Sequence, residues 1–432
     1  MAAPVQRLSH LAFHVSNSER LARDLVRSFR FQLCGSRETE QARQLVLRKG
    51  SAVFIVNESP GGLCSEPEPD PRGFLYDVAP AHVVDTACNV SFEVKDVERA
   101  TLRLGGLGCQ ILVPPSPVED ELGRVTYSVV RSVVGNIRHT LIDRTGYCGD
   151  FLPGFSSPPS GGEWEQEAGG PVAITHFDHI TYACPRQRTA QILDWYRSCF
   201  GFQRFLMNRN EDVDEGYVIE GNDIGLRLTA MEYWKCSEVG MSIPATEGKK
   251  IDCKFVIAES LSYQGKNQVD TFLEQHHGAG IQHVGLYTTD IVSTCKSLTD
   301  AGVQFFSPPP AYYSETEKRQ EIMKAGHDAE LLSQYGILLD TEVDEEHCKG
   351  ETKCQGPANN RKRYLMQMFT KPIFSEETFF LELIERKGAS GFGEGNIRAL
   401  WKSVQTYMDQ REDKKIVKGI SARNGLAIDV NS

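Results

Sequence analysis

Long apolar runs are missing from this chain of 432 residues. Every hydrophobic stretch stops well short of the roughly 18 residues that a membrane-crossing helix needs. Basic clusters are missing too: the net charge is −11 and the pI near 5.6. Phosphate backbones are bound by concentrated positive surface, so no nucleic-acid partner is expected. Cysteine is not scarce, but the 12 present lack the dense, regular spacing of a secreted disulfide scaffold. They read as reduced thiols of an intracellular protein. Cys348 and Cys354, with His347 beside them, match no common zinc spacing and read as part of a solvated loop. What remains, 40% hydrophobic and 24% charged residues, is the composition of a soluble globular chain long enough for two to four domains.

The first 30 residues carry Arg7, Arg20, Arg23, Arg27 and Arg30 against Glu19 and Asp24, the composition of a mitochondrial presequence. Leu21, Leu25 and Phe29 recur at helical spacing, which predicts instead a surface helix of the first domain, with any import signal uncleaved.

The chain contains itself twice. "LSHLAFHV" (8–15) and "FDHITYAC" (177–184) open two halves separated by the Pro/Gly/Ser-rich stretch 153–171. "NVSFEVKDVERATLRLGGLGCQILVPP" (89–115) lines up with "HVGLYTTDIVSTCKSLTDAGVQFFSPP" (283–309), and "RHTLIDR" (138–144) with "FLELIER" (380–386). Each half thus holds two units of a strand, a helix and several more strands. Such repetition implies units that complete one another's sheets. Alternating short runs with helices between them predict an α+β fold of mixed or antiparallel sheets, curled in pairs into two open barrels. A barrel mouth is a natural small-molecule site.

Glu382 lies between Leu381 and Leu383 in the apolar run "TFFLELIER". An ionised carboxylate removed from water costs several kcal/mol unless a charge answers it. The repeat points to the answer. His179 and His283 occupy the opening strands of the second half's two units, and period-2 alternation puts them on the face of Phe177, Thr181, Ile281 and Gly285, as it puts Glu382 with Phe380 and Ile384. Two imidazoles and one carboxylate form the facial triad of non-haem Fe(II) oxygenases, which leaves positions open for substrate and O2. Taken singly, each histidine is more often a hydrogen-bonded core residue, and Arg386 or Lys387 would be an ordinary partner for Glu382. The matching first-half positions are His10, Asn89 and Thr140, so the first half is expected to be metal-free and structural. His14 and His176, the latter placed ahead of the strand, stay outside the expected site.

The segments "FDHITYAC", "GAGIQHVGLYTTDIV", "YLMQMFTKPIFSEETFFLELIER" and "GFGEGNIRALW", with "FLPGF" (151–155), resemble the 4-hydroxyphenylpyruvate dioxygenase family over about residues 7 to 405. The resemblance implies a vicinal-oxygen-chelate fold of four βαβββ modules. It divides the chain into a metal-free domain (7–152), a linker (153–171), an Fe(II)-bearing catalytic domain with a capping helix (172–411) and a polar tail (412–432). It implies His179, His283 and Glu382 as the iron ligands, Gln268, Gln282 and Gln367 as substrate-pocket glutamines, and Phe369 and Phe392 as ring-contacting aromatics. No catalytic acid or base beyond the metal ligands is expected, because the protein's task is to orient the substrate and exclude water. The partners implied are a small aromatic α-keto acid and O2, with a second copy of the chain as a further candidate, and the compartment implied is the mitochondrion.

The chain departs from the family pattern where polar pocket groups are usual: Leu228, Val256, Ala258 and Ile397 are apolar, and Trp401 replaces a phenylalanine. Attack on the ring gives homogentisate, while attack on the benzylic carbon gives 4-hydroxymandelate, and a shift of about 1 Å decides between such outcomes. An altered pose favours 4-hydroxymandelate, the product associated with mitochondrial relatives that feed ubiquinone head-group synthesis. Homogentisate formation, or keto acid binding without turnover, are the alternatives. The stretch 344–363 is longer than the family's usual turn and is assigned no function. "GNIRALWKSVQTYMDQRE" has the pattern of an amphipathic helix with Leu400, Val404 and Met408 on one face, expected to cap the pocket mouth.

Overall fold

Helix starts are written into the sequence at equivalent points of the repeat. Asn17, Asp96 and Asp290 each adopt extended backbone and accept a hydrogen bond from the main-chain N–H three residues on, at Arg20, Arg99 and Ser293. Each cap contributes about 1 kcal/mol. The helices so begun lie between strands in three of the four modules, while the helix of the third, Thr189–Phe200, starts at Arg188 without a side-chain cap. The computed structural model describes residues 5–63, 73–79, 81–157, 164, 170–207, 211–213, 215–221, 224–233, 253–261, 266–342, 363–393, 395–400 and 403–404. Cys348, Cys354 and His347, the stretch 344–362, Trp401, Met408 and the tail from 412 lie outside the described residues.

The first half comprises β1 (Val5–His14), α1 (Ser18–Arg27), β2 (Gln32–Glu38), β3 (Arg43–Lys49) and β4 (Ala52–Glu58), then β5 (Thr86–Val94), α2 (Val97–Gly106), β6 (Ile111–Asp120), β7 (Gly123–Arg131) and β8 (Arg138–Asp143). Its sheet runs β2-β3-β4-β1-β5-β8-β7-β6. The second half repeats this with β9 (Ile174–Cys184), α3 (Thr189–Phe200), β10 (Phe202–Phe205), β11 (Tyr217–Gly221), β12 (Ile224–Tyr233) and β13 (Lys254–Ser260). After α4 (Gln268–Gln275) come β14 (Gly280–Thr288), α5 (Ile291–Asp300), the short helices α6 (Pro310–Ser314), α7 (Thr316–Lys324) and α8 (Ala329–Tyr335), and β15 (Leu338–Glu342), β16 (Arg363–Phe369) and β17 (Phe380–Lys387). Its sheet runs β10-β12-β13-β9-β14-β17-β16-β15, with β11 on β12. Both sheets are mixed, since β1 and β4, β5 and β8, β9 and β13, and β14 and β17 pair in parallel. This is the expected α+β, vicinal-oxygen-chelate architecture, each half a sheet curled into an open half-barrel.

Register confirms the internal repeat residue by residue. Ala12 faces Asn89 as Thr181 faces His283, and Asn89 faces Arg138 as His283 faces Phe380. Bulges recur as well. The extra residues are Gln6 and Ser9 in β1 and Cys88 in β5, and at the equivalent points Thr175 and Asp178 in β9 and Gln282 in β14.

The bulges correct the expected alternation. An extra residue resets which face the following side chains occupy. Phe177 and Ile281, predicted to share a face with His179 and His283, instead belong to the core between the halves. There Phe13 packs against Phe374 and Phe379, and Phe54 against Phe177 at 5.1 Å. The predicted helix α1 buries Leu21 and Leu25, and Phe29 beyond it is buried too, so this arginine-bearing stretch is part of the first half's packing. The supposed linker begins later than expected: Ser156 pairs with Ser36, and Phe155 packs against the first half beside Tyr76.

Candidate metal centre

The three central strands β9, β14 and β17 bring His179, His283 and Glu382 to one point inside the second half-barrel. His179 Nε2 lies 3.1 Å and His283 Nε2 3.7 Å from Glu382 Oε2. One ligand atom from each lies within 4.8 Å of the others. His179 and Glu382 are buried and His283 nearly so.

Each ligand is held from behind. Asp178, the bulge residue, meets His179 Nδ1 at 2.9 Å, and Arg386 clamps Asp178 through two bonds of 2.7 and 2.8 Å. Gln282, the other bulge residue, meets His283 Nδ1 at 3.3 Å through its carbonyl oxygen. Both Nδ1 atoms are thereby engaged, which leaves both Nε2 atoms facing Glu382; metal-bound histidines are oriented in this way by carboxylate or carbonyl partners. Gln367 donates to Glu382 Oε1 at 2.9 Å and accepts from Asn396 at 2.9 Å, so only Oε2 is turned to the imidazoles. Gly285 provides the room: a Cβ there would lie 2.4 Å from the His179 ring.

Electrostatics favour a cation. Arg386, a potential partner for Glu382 on sequence grounds, is bound to Asp178, and among the described residues no lysine or arginine forms an ion pair with Glu382. Burial opposes the His179 imidazolium, but Glu382 and Asp178 outweigh burial and raise its pKa to about 9. Burial and the neighbouring His179 push His283 well below the ordinary range. Burial would raise the Asp178 carboxyl, yet Arg386 holds it well below the usual value. A divalent ion placed between the two imidazoles and the Glu382 carboxylate would satisfy all three donors together. The residues therefore fit a two-histidine, one-carboxylate metal site.

A second set, His14, Asp77 and Cys88, also brings its donor atoms within 4.8 Å, in the first half. Its cation is built in. Arg138 lies 3.6 Å from Asp77 and donates to Cys88 Sγ at 3.1 Å, while His14 and Asn57 complete the Asp77 shell. Burial favours the neutral acid, but Arg138 and His14 hold Asp77 at about 2.

Comparison with known proteins agrees with this geometry. A model described as the Glyoxalase/Bleomycin resistance protein/Dioxygenase superfamily matches residues 176–319, the interval containing both histidines. A human protein described as 4-hydroxyphenylpyruvate dioxygenase-like is 42% identical over 409 residues, covering 94% of this chain and 98% of that protein. The chain belongs to the 4-hydroxyphenylpyruvate dioxygenase-like family. The 4-hydroxyphenylpyruvate dioxygenase of Xenopus tropicalis is 27% identical over 93% of this chain and 91% of that enzyme. Among solved structures, a mutant of 4-hydroxymandelate synthase from Streptomyces coelicolor shares the fold with a TM-score of 0.69, at 23% identity, over 94% of this chain and 99% of that one.

In this member of the family the three candidate ligands open onto a partly open cavity. All five expected pocket residues line it, and so do the four departures Leu228, Val256, Ala258 and Ile397. Their roles differ. Gln282 and Gln367 are bonded to metal ligands, whereas among the described residues Gln268 has no hydrogen bond from its side chain and faces the cavity from the start of α4. Phe392 meets the His179 ring edge-on at 5.2 Å, with Arg386 over its other surroundings at 5.5 Å. Phe369 sits edge-on to Phe380. Residues 395–400 and 403–404 are helical, and Leu400 and Val404 bury against Phe369 and Phe380 as the amphipathic pattern predicts.

Sequence reasoning missed Asp178 and Asn396, named Gly285 and Phe380 only as face neighbours of the candidate ligands, and set Arg386 beside the wrong acid. Phe380 stacks on the His283 ring at 4.6 Å. Two of them left a signal: a polar residue directly before a strand histidine, and a glycine inside a strand, which marks a close approach. His176, expected ahead of the strand, lies within β9 with its ring on Tyr287, apart from the metal donors.

Proposed function

We propose that this chain is an iron-dependent dioxygenase that converts 4-hydroxyphenylpyruvate and O2 to 4-hydroxymandelate and CO2 in mitochondria, supplying the ubiquinone head group. The convergence of His179, His283 and Glu382 on the floor of a largely apolar cavity carries this reading. The printed names of the relatives, a 4-hydroxyphenylpyruvate dioxygenase and a 4-hydroxymandelate synthase, support the substrate class. His179, His283 and Glu382 would hold Fe(II), which would supply the O2-dependent redox chemistry that no side chain of the pocket offers.

The chain's own residues position and shield. Phe369 and Phe392 flank the space for an aromatic ring, and Gln268 offers the unengaged amide. Leu226, Leu228, Val256, Ala258 and Ile397 form an apolar wall that excludes water and gives no hydrogen bond to a ring hydroxyl. A ring met on this wall by apolar groups has fewer polar contacts to fix it, which supports the altered pose and benzylic attack. The mitochondrial placement rests on family likeness and is tested by fractionation of cells expressing the tagged full chain.

Anaerobic loading with Fe(II), followed by 4-hydroxyphenylpyruvate, ascorbate and O2 and by mass spectrometry, should yield 4-hydroxymandelate, with Glu382→Ala inactive and metal-free. Homogentisate as sole product overturns the product assignment. Absence of keto acid-dependent O2 uptake in the iron-loaded chain, across several aryl keto acids, overturns the enzyme reading in favour of a binding protein.

A further inference from the structure

The two halves meet away from the metal at a pair of thiols. Cys109 follows α2 of the first half, and Cys199 lies in the last turn of α3 of the second. Their sulfur atoms are 3.4 Å apart, although 90 residues separate them in the chain. The approach is held in place: Arg103 reaches from α2 to the α3 carbonyls of Ser198 and Cys199, at 2.9 and 3.2 Å. These carbonyls belong to a helix C-terminus, where a guanidinium is electrostatically favoured. Cys199 is buried and Cys109 is partly exposed, so one thiol is open to a small reagent and the other waits behind it.

We propose that Cys109 and Cys199 form a peroxide-sensitive redox pair whose disulfide staples the two halves together. Cys109 is the attacking thiol. Its pKa is lowered to about 7, first by the hydrogen bond with Cys199 and further by Trp195 and Arg103, against the effect of burial. The Cys109 thiolate displaces hydroxide from hydrogen peroxide, the O–O bond breaks, and a sulfenic acid forms. Cys199 then attacks that sulfur, the S–S bond forms and water leaves; two thiols and one peroxide give one disulfide and two waters. Cys88, Cys184 and Cys295 differ from Cys109 in being fully buried, and burial raises their thiols well above the ordinary range. A cross-link closing so long a loop restricts the unfolded chain and raises the melting temperature. The pair depends on neither the metal nor the proposed reaction.

The test uses the reduced full chain treated with hydrogen peroxide, followed by blocking of free thiols, tryptic digestion and mass spectrometry. The expected result is peptide 104–124 joined to peptide 198–204, two hydrogens lighter than the sum of the free peptides, and released by dithiothreitol. The oxidised chain should melt about 5 °C higher than the reduced chain. Cys199→Ser should stop at a dimedone-reactive Cys109, and Cys109→Ser should lose both the link and the shift; both variants, in reduced form, should melt within about 2 °C of the parent. Free thiols at both positions after exposed Cys148 has been oxidised would overturn the proposal. So would a link to any other cysteine, or a Cys109 oxidised without joining Cys199.

Discussion

The two half-barrels share strand order, register and even bulges, yet one presents a candidate metal site and the other a closed hydrogen-bond network. At the first-half positions His10 bonds to Ser91 at 2.8 Å, Asn89 to Thr140 at 2.8 Å, and Thr140 to the Tyr76 carbonyl at 2.7 Å. Burial lowers the His10 pKa to about 3, so this imidazole is neutral and satisfied within the protein. The interior there is filled by Tyr76, Val78, Val113, Val125 and Tyr127, where the second half keeps its cavity. A common backbone thus supports opposite outcomes, and a few side chains choose between them. Gly285 against Ser91 is one such choice: the glycine clears space for a ligand ring, while the serine hydroxyl occupies the imidazole nitrogen of its counterpart. Asp178 against Ser9 is another, since only the former brings a charge to the imidazole it meets.

Making the second half resemble the first should have the largest effect. Gly285→Ser places a Cβ 2.4 Å from the His179 ring and should weaken Fe(II) binding by about 100-fold, as read by anaerobic titration, because an orienting defect alone costs 10–100-fold. The reciprocal Ser91→Gly should create no metal binding, and a metal-binding first half would break the comparison. A smaller loss is expected for Asp178→Asn, which keeps the shape and removes the charge. Metal affinity should fall about tenfold, with the visible bands of the Co(II)-substituted protein shifted. Unchanged affinity and spectrum would reduce Asp178 to a packing residue. Thr140→Val should leave metal binding untouched and lower stability by about 1–3 kcal/mol in urea unfolding, because Asn89 and the Tyr76 carbonyl each lose their shorter hydrogen bond and keep only the longer one between them. A loss of metal with Thr140→Val would show that the halves are not independent in this respect.

Glu382 shows how much of the site was legible. A single acid inside an apolar strand is conspicuous, and internal repetition supplied the two histidines to set beside it. All three glutamines line the cavity, but the sequence did not separate them: Gln282 and Gln367 bond to the candidate ligands, whereas among the described residues Gln268 makes no side-chain hydrogen bond. Strict alternation failed at Phe177 and Ile281, because a bulge adds one residue and leaves no mark in a hydrophobic pattern. Arg386 was weighed as a partner for Glu382 and proved to serve Asp178, a residue 208 positions away in the chain. Such pairings depend on how strands twist and meet, which local patterning does not record.

By itself, the sequence determined the modular repeat, the kind of secondary structure in each module and the three polar side chains that converge as a candidate metal centre, since periodicity and out-of-place polar residues are local properties. Which half keeps an open cavity, which oxygen of Glu382 is turned to the imidazoles, and which two of the cysteines touch were decided only when distant strands and helices packed. These are distances between residues far apart in the chain, and packing alone sets them.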